Sequence, residues 1–156
     1  MNRTRTSTTD FVSNPGPRET ARQLVREHGA EEGWLDAFAE QLDRLRNADA
    51  LLQILQVWGL NQSDAARIFG VSRQAISKWL DTGVPADRAV AVADLGAATD
   101  ILLRHLKRDR IPGVVRRAAT RLANRSLLDL LLAQDFQGAL QACRAMFAFG
   151  DAHGFA

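Results

Sequence analysis

The sequence has one cysteine, no tyrosine and few β-branched residues, and each scarcity narrows the possible folds. A lone Cys143 cannot form an internal disulfide, which is typical of a reducing compartment. No stretch reaches the roughly 18 to 20 uninterrupted apolar residues of a membrane helix. Residues 1–10 lack the apolar segment of a secretory signal. Ala, Leu, Arg and Gln are abundant instead, which favours helix over sheet. The composition therefore predicts an all-α, cytoplasmic protein without a membrane partner.

The sequence also lacks the spacings of side chains that are typical of catalytic or metal-binding sites. His28, His105 and His153 are scattered, and they form no cluster with Cys, Asp or Glu at metal-ligand spacing. No phosphate-binding loop, nucleophile elbow or catalytic pair of carboxylates is visible. We therefore expect no metal, no cofactor and no enzyme activity.

The net charge of +2 hides an uneven distribution of charge along the chain. Eight of the 20 basic residues fall within residues 104–125, where Asp109 is the single acid. The eight are Arg104, Lys107, Arg108, Arg110, Arg116, Arg117, Arg121 and Arg125. Such a block favours an anionic partner. A solvated basic helical surface explains the same residues without any partner, and both interpretations stay open.

Apolar spacing predicts a series of helices, with caps expected at Asn47 or Asp49 and at Ser126 and a helix end at Gly59. They cover residues 17–29, 31–46, 47–59, 85–107, 114–122, 126–132 and 137–149, with two short helices in 61–81 and a break at residues 109–113. Residues 1–16 are predicted to form a disordered arm, and residues 17–95 a first domain that contains the two short helices. Residues 96–150 are predicted to form a smaller helical domain, followed by a tail over residues 151–156.

The segment 61–81 has the cap and core residues of two helices joined by a tight turn. Asn61 and Ser72 are suited to cap the two helices, and Gly70 is placed where the first helix must end in a left-handed turn. A small shared core is expected from Ile68, Phe69, Val71, Ile76 and Trp79. The side chains that this arrangement directs outward on the second helix are Arg73, Gln74, Ser77 and Lys78.

This pattern resembles the helix-turn-helix of phage Cro and repressor proteins and of bacterial Xre-type regulators. The resemblance rests on Gln62, Ala66, Gly70, Ile76 and Trp79, followed by the exit over residues 81–85. It implies that residues 73–80 enter the major groove of double-stranded DNA. Arg73 and Gln74 would read bases, Ser77 and Lys78 would support them, and Gln62 would contact phosphate. Ser72, which caps the second helix, completes the predicted DNA-binding set of this motif.

The second half of the chain resembles the C-terminal halves of actinobacterial phage immunity repressors. It also resembles the C-terminal domain of Xre/MbcA/ParS-type antitoxins. The similarity covers residues 100–103, 110–117, 126–131 and 145–147. We expect the arginines around the Pro-Gly pair, over residues 108–117, to contact the DNA backbone or minor groove. These arginines are Arg108, Arg110, Arg116 and Arg117.

Three functions follow from the two resemblances. The first is a sequence-specific transcriptional repressor, namely a phage-type immunity repressor that occupies operators on a bacterial nucleoid. The second is an antitoxin that binds a cognate toxin, or itself, through residues 126–149 and autoregulates its operon. The third is an accessory DNA-binding protein with weak sequence preference.

Overall fold

The structure, a computed structural model, describes residues 14–148. Within that range the protein is all-α, as predicted, and no strand is formed. The helices are α1 (Pro17–His28), α2 (Trp34–Trp58), α3 (Gln62–Phe69), α4 (Arg73–Thr82), α5 (Ala89–His105), α6 (Ile111–Arg116), α7 (Leu127–Leu132) and α8 (Phe136–Phe147). Three-residue 3-10 turns cover Ala86–Arg88, Arg108–Arg110 and Thr120–Leu122. Residues 1–13 of the predicted arm, the predicted helix end at Phe149 and the predicted tail lie outside the described residues.

The chain divides into two units between residues 39 and 40, and the first unit contains α1. Pro17 opens α1, where a missing N–H costs nothing because the first turn has no helical acceptors for its donors. No residue of α1 is buried. The ring of His28 stacks on Trp34 at 3.7 Å between centroids, and Trp34 stacks on Phe38 at 5.3 Å. These stacked rings join the end of α1 to the first turns of α2.

Helix α2 corrects the prediction of two separate helices over residues 31–46 and 47–59. It runs without a break through Asn47 and Asp49, the two residues expected to cap a new helix. Ala48 and Leu51 are buried next to them, so the apolar stripe continues through this region. Burial of that stripe outweighs the capping preference of two polar residues. Gly59 ends α2 as predicted, with a φ of 66°.

The region after α5 also differs from the prediction, which placed a break at residues 109–113 and a helix over 114–122. Pro112 lies in the first turn of α6, where its missing N–H has no helical acceptor to lose. The break comes earlier, at the extended backbone of Leu106 and Lys107. Helix α6 ends at Arg116, because the backbone of Arg117 is extended.

A single buried cluster extends through the second unit from α2 to α8. Trp58 is fully buried in it, and its indole N–H donates to the hydroxyl of Thr99 at 2.9 Å. The hydroxyl of Thr99 donates in turn to the carbonyl of Leu95 at 2.7 Å, so both buried polar groups are hydrogen-bonded. Among the described residues, α5 and α8 form the most extensive helix–helix contact.

The domain division predicted at residues 95 and 96 falls inside α5. Leu95 and Ala98, on either side of it, are buried in the same cluster. The C-terminal helices and the two-helix motif belong to the same unit, which begins at residue 40, and a functional division at residues 95 and 96 stays a prediction. A continuous apolar face on α5 cannot be divided between two separate cores.

The leucine-rich segment that begins at residue 126 contributes several buried side chains to this core over its described part, residues 126–148. Ser126 caps α7 through a reciprocal pair of hydrogen bonds with Asp129, as the sequence predicts for Ser126. Leu127, Leu130 and Leu131 are buried, whereas Leu132 is exposed. Self-association or toxin binding through this segment stays a prediction. Over residues 14–148, no helix combines the length and the apolar character needed to cross a membrane.

Candidate nucleic-acid interface

The two short helices of the predicted motif are α3 and α4, and their ends are capped as the sequence predicts. The side chain of Asn61 accepts a hydrogen bond from the N–H of Asp64 at 2.9 Å, and Asp64 accepts one from Asn61 at 3.0 Å. Gly70 has the left-handed conformation, with φ 65° and ψ 37°. Ser72 accepts a hydrogen bond from the N–H of Ala75 at 3.1 Å. The turn between the helices is therefore fixed by local hydrogen bonds.

The predicted core of the helix pair is also confirmed. Ile68, Phe69, Ile76 and Trp79 are buried, and Val71 packs against them. The rings of Phe69 and Trp79 meet edge to face, with centroids 5.6 Å apart and planes 79° apart. This contact sets the angle between α3 and α4 and leaves the opposite face of α4 to solvent.

That exposed face brings together most of the side chains through which the motif is predicted to contact DNA. Gln62, at the start of α3, lines one open depression of about 260 Å³ with Arg73, Gln74 and Ser77 of α4. Lys78 is exposed on the same helix. In the part of the chain that the structure describes, no hydrogen bond engages the side chains of Arg73, Gln74, Ser77 or Lys78. Their donors and acceptors are thus available to a ligand, whereas the hydroxyl of Ser72 is used in capping.

A second groove adjoins this depression. It has a volume of about 540 Å³, and Gln62 and Arg73 line both. Its apolar wall includes Leu52, Leu60 and Leu80.

The C-terminal end of α4 is attached to α2, through residues that sequence reasoning missed. The amide of Gln41 donates to the carbonyl of Thr82 at 2.9 Å. The N–H of Val84 donates to the carbonyl of Arg44 at 3.0 Å, and Arg44 Nε donates to the carbonyl of Val84 at 3.3 Å. A Cβ on Gly83, whose φ is 114°, would lie 2.9 Å from the Cβ of Arg44. Only glycine therefore fits this close approach.

The turn between α3 and α4 is supported from the C-terminal half of the chain. The ring of Phe136 stacks on Phe69 at 5.4 Å between centroids. A Cβ on Gly70 would lie 2.7 Å from the side-chain nitrogen of Gln134. The guanidinium of Arg88 donates to the carbonyl of Phe69 at 3.3 Å and lies 5.9 Å from the Trp79 ring centroid. No local pattern in the sequence pairs these residues, since the contacts join distant segments.

The four arginines predicted as a second contact fall into two groups. All four are exposed, and Arg110 and Arg117 line a depression of about 410 Å³ with Asp109 and Gly113. Arg116 instead donates to backbone carbonyls. Its Nη1 lies 2.9 Å from the oxygen of Trp58 and 2.8 Å from that of Pro112, and its Nη2 lies 2.7 Å from that of Gly59. The contact of Arg116 with DNA stays a prediction, while a structural role already accounts for its position.

Residues 108–117 form the basic turn, and the hydrogen bonds of Arg116 place it next to the start of α3. Gly59 precedes the Asn61 cap by two residues, and a Cβ on Gly59 would lie 3.1 Å from that of Pro112. The pKa of the Asp64 carboxyl, in the first turn of α3, is lowered by groups on both segments. A hydrogen bond from the backbone of Asn61 holds its pKa below the ordinary value, helped by Arg67 and, less, by the charge of Arg116. The basic turn and the start of α3 are therefore neighbours.

Comparisons with protein-family models, with curated proteins and with solved structures return no match for this chain.

The chemistry of the interface follows from its dimensions and its charge. Helix α4 has 10 residues and is therefore about 15 Å long. A major groove about 12 Å wide admits one α-helix. Guanidinium and amide groups match guanine and adenine edges, and exposed arginines attract phosphates. Helix α4 presents the guanidinium of Arg73 and the amide of Gln74, and residues 108–117 present exposed arginines.

We expect Arg116→Ala to lower the free energy of unfolding by roughly 1 to 2 kcal/mol, because three carbonyls lose a charged donor. Arg117→Ala, the matched change one residue later, is expected to stay within about 0.5 kcal/mol of the wild type. Urea denaturation followed by circular dichroism measures both values. Equal stability losses in the two variants would contradict the structural role of Arg116.

Proposed function

We propose that this protein is a sequence-specific DNA-binding transcriptional repressor, of the kind that phages use for immunity. One observation carries the proposal: Gln62, Arg73, Gln74 and Ser77 line a single open depression on a capped two-helix motif. Side chains from two helices are thus presented together, on the exposed face of a helix of suitable length.

The fixed position of α4 supports recognition of a particular sequence. Its end is held by Gln41 and Arg44, and its start follows a turn against which Phe136 packs. A reading helix that is held in place before binding loses little conformational entropy when it meets the groove. Discrimination between bases needs such placement, because a hydrogen bond weakens steeply when its geometry changes.

The exposed arginines of the basic turn supply the electrostatic part of the mechanism. Arg110 and Arg117 lie on the segment that Arg116 attaches next to the start of α3. In this arrangement the two arginines contact the phosphate backbone of the DNA beside the major groove that α4 occupies. The charge of the turn draws the protein to DNA, α4 selects the site, and the bound protein blocks access of polymerase to the promoter.

We expect Arg73→Ala and Gln74→Ala each to reduce discrimination at one or two base pairs by about 1 to 3 kcal/mol, because a bidentate contact to a base edge is lost. Quantitative binding to a panel of single-base-pair variants of the preferred site measures the loss. Arg144→Ala and Gln141→Ala, which change exposed residues of the same types on α8, serve as matched controls. If the base preferences of Arg73→Ala and Gln74→Ala equal those of the controls, α4 is not the reading helix.

We expect Arg110→Ala and Arg117→Ala to weaken binding to all sequences alike. Each lost phosphate contact is expected to reduce the slope of log K against log salt by about 0.9. Binding measured over a salt series gives this slope. Arg104→Ala is the control, because Arg104 belongs to the same basic block but lies on α5. A reduction as large for Arg104→Ala would mean that the block acts only as a diffuse basic surface.

A further inference from the structure

The segment between α6 and α7, residues 117–125, forms a closed loop with an unusual tip. The N–H of Ala119 donates to the carbonyl of Arg125 at 3.0 Å, and the N–H of Asn124 donates to the carbonyl of Ala119 at 3.0 Å. These bonds close an antiparallel bridge between Ala119 and Arg125. Ala123 and Asn124 both have left-handed backbone, with φ of 55° and 60°. Two consecutive residues with side chains rarely adopt this conformation.

Both ends of this loop are anchored, so its tip has a defined position. Arg116, just before the loop, is hydrogen-bonded to the end of α2. Ser126, just after it, is buried and caps α7. Leu122 packs against the core from within the loop. The exposed residues at the tip are Ala123 and Asn124, and within residues 14–148 no hydrogen bond engages the side chain of Asn124.

The charge and the size of the loop favour a narrow, anionic partner. Residues 110–128 contain no acidic side chain, and the loop begins and ends with the exposed residues Arg117 and Arg125. The tip carries only a methyl group and a short amide. The minor groove of DNA is about 6 Å wide, and proteins read it with small or extended polar side chains flanked by basic residues.

We propose that the loop over residues 117–125 enters the minor groove beside the site of α4, and that Asn124 reads A·T pairs there. Its amide donates to the acceptors that A·T pairs present in that groove, while Arg117 and Arg125 contact the flanking phosphates. The exocyclic amino group of guanine occupies the same position in a G·C pair and excludes the contact. This proposal rests on the proposed function, since it adds a second reading element to the same complex.

The test uses the full chain and duplexes based on the site that the wild type selects from a random pool. The selected site itself is the first duplex. In the second duplex, the A·T pairs beside the motif that α4 binds are replaced by G·C pairs, and in the third they are replaced by inosine·cytosine pairs. Inosine lacks the minor-groove amino group of guanine but presents a similar major-groove edge. A reader of the minor groove therefore treats A·T and inosine·cytosine alike and rejects G·C, whereas a reader of the major groove does not.

The informative variant is Asn124→Gly, because glycine adopts the left-handed backbone of this position without a side chain. Ala123→Gly is the matched control, since it makes the same backbone change one residue earlier and removes no polar group. We expect the wild type and Ala123→Gly to bind the G·C duplex about tenfold more weakly than the other two. Asn124→Gly is expected to bind all three duplexes within about twofold.

Three outcomes would overturn the proposal. Asn124→Gly discriminates as the wild type does, or inosine·cytosine is rejected like G·C, or the selected site shows no A·T preference beside the motif. Each of them leaves the proposed function intact so long as the wild type selects a defined site. If the wild type selects no sequence at all, both proposals fail. Thermal unfolding by circular dichroism confirms that both glycine variants are folded.

Discussion

The C-terminal end of α2 is the point on which the arrangement of the candidate interface depends. A helix leaves its last carbonyls without helical partners, and here the guanidinium of Arg116 binds the carbonyls of Trp58 and Gly59. The indole of Trp58 is meanwhile hydrogen-bonded to Thr99 of α5. Trp58 at the end of α2 is therefore hydrogen-bonded both to α5 and to α6. Helix α3 begins only a few residues later, at Gln62. The basic turn is fixed beside the start of the two-helix motif by these few bonds.

Helix α4 is held in place by contacts on several sides, while one of its faces stays open to solvent. The hydrophobic contact of Phe69 with Trp79 and Phe136 fixes the base of the motif. The hydrogen bonds of Gln41 and Arg44 fix its exit. The C-terminal half of the chain thus supports the motif directly, through Phe136. A rigid support of this kind is what selective binding of a groove requires.

Sequence reasoning succeeded where structure is decided by hydrogen bonds over a few residues. The caps at Asn61, Ser72 and Ser126 and the left-handed glycines at 59 and 70 were all predictable, because each satisfies backbone groups within its own turn. It failed where packing decides between two locally acceptable states. Asn47 is a good cap that burial of Ala48 and Leu51 overrides, and Pro112 is a helix breaker that a first turn tolerates.

The candidate site likewise combines features that local sequence patterns predict with features that only long-range contacts decide. The depression formed by Gln62, Arg73, Gln74 and Ser77 groups residues that the motif already placed together. The hydrogen bond from Arg116 to Trp58 spans 58 residues, and no local pattern distinguishes Arg116 from Arg117. The left-handed backbone of Ala123 is equally invisible in the sequence, and it lies in the loop that the bridge between Ala119 and Arg125 closes.

Selection of bound duplexes from a random DNA pool tests the central claim most directly, namely that one chain recognises a particular DNA sequence through two adjacent elements. We expect the wild-type protein to enrich a single non-palindromic motif, since α4 and the basic turn are different surfaces that contact neighbouring parts of the duplex. A bound pool with the same base composition at every position as the starting pool would contradict the claim.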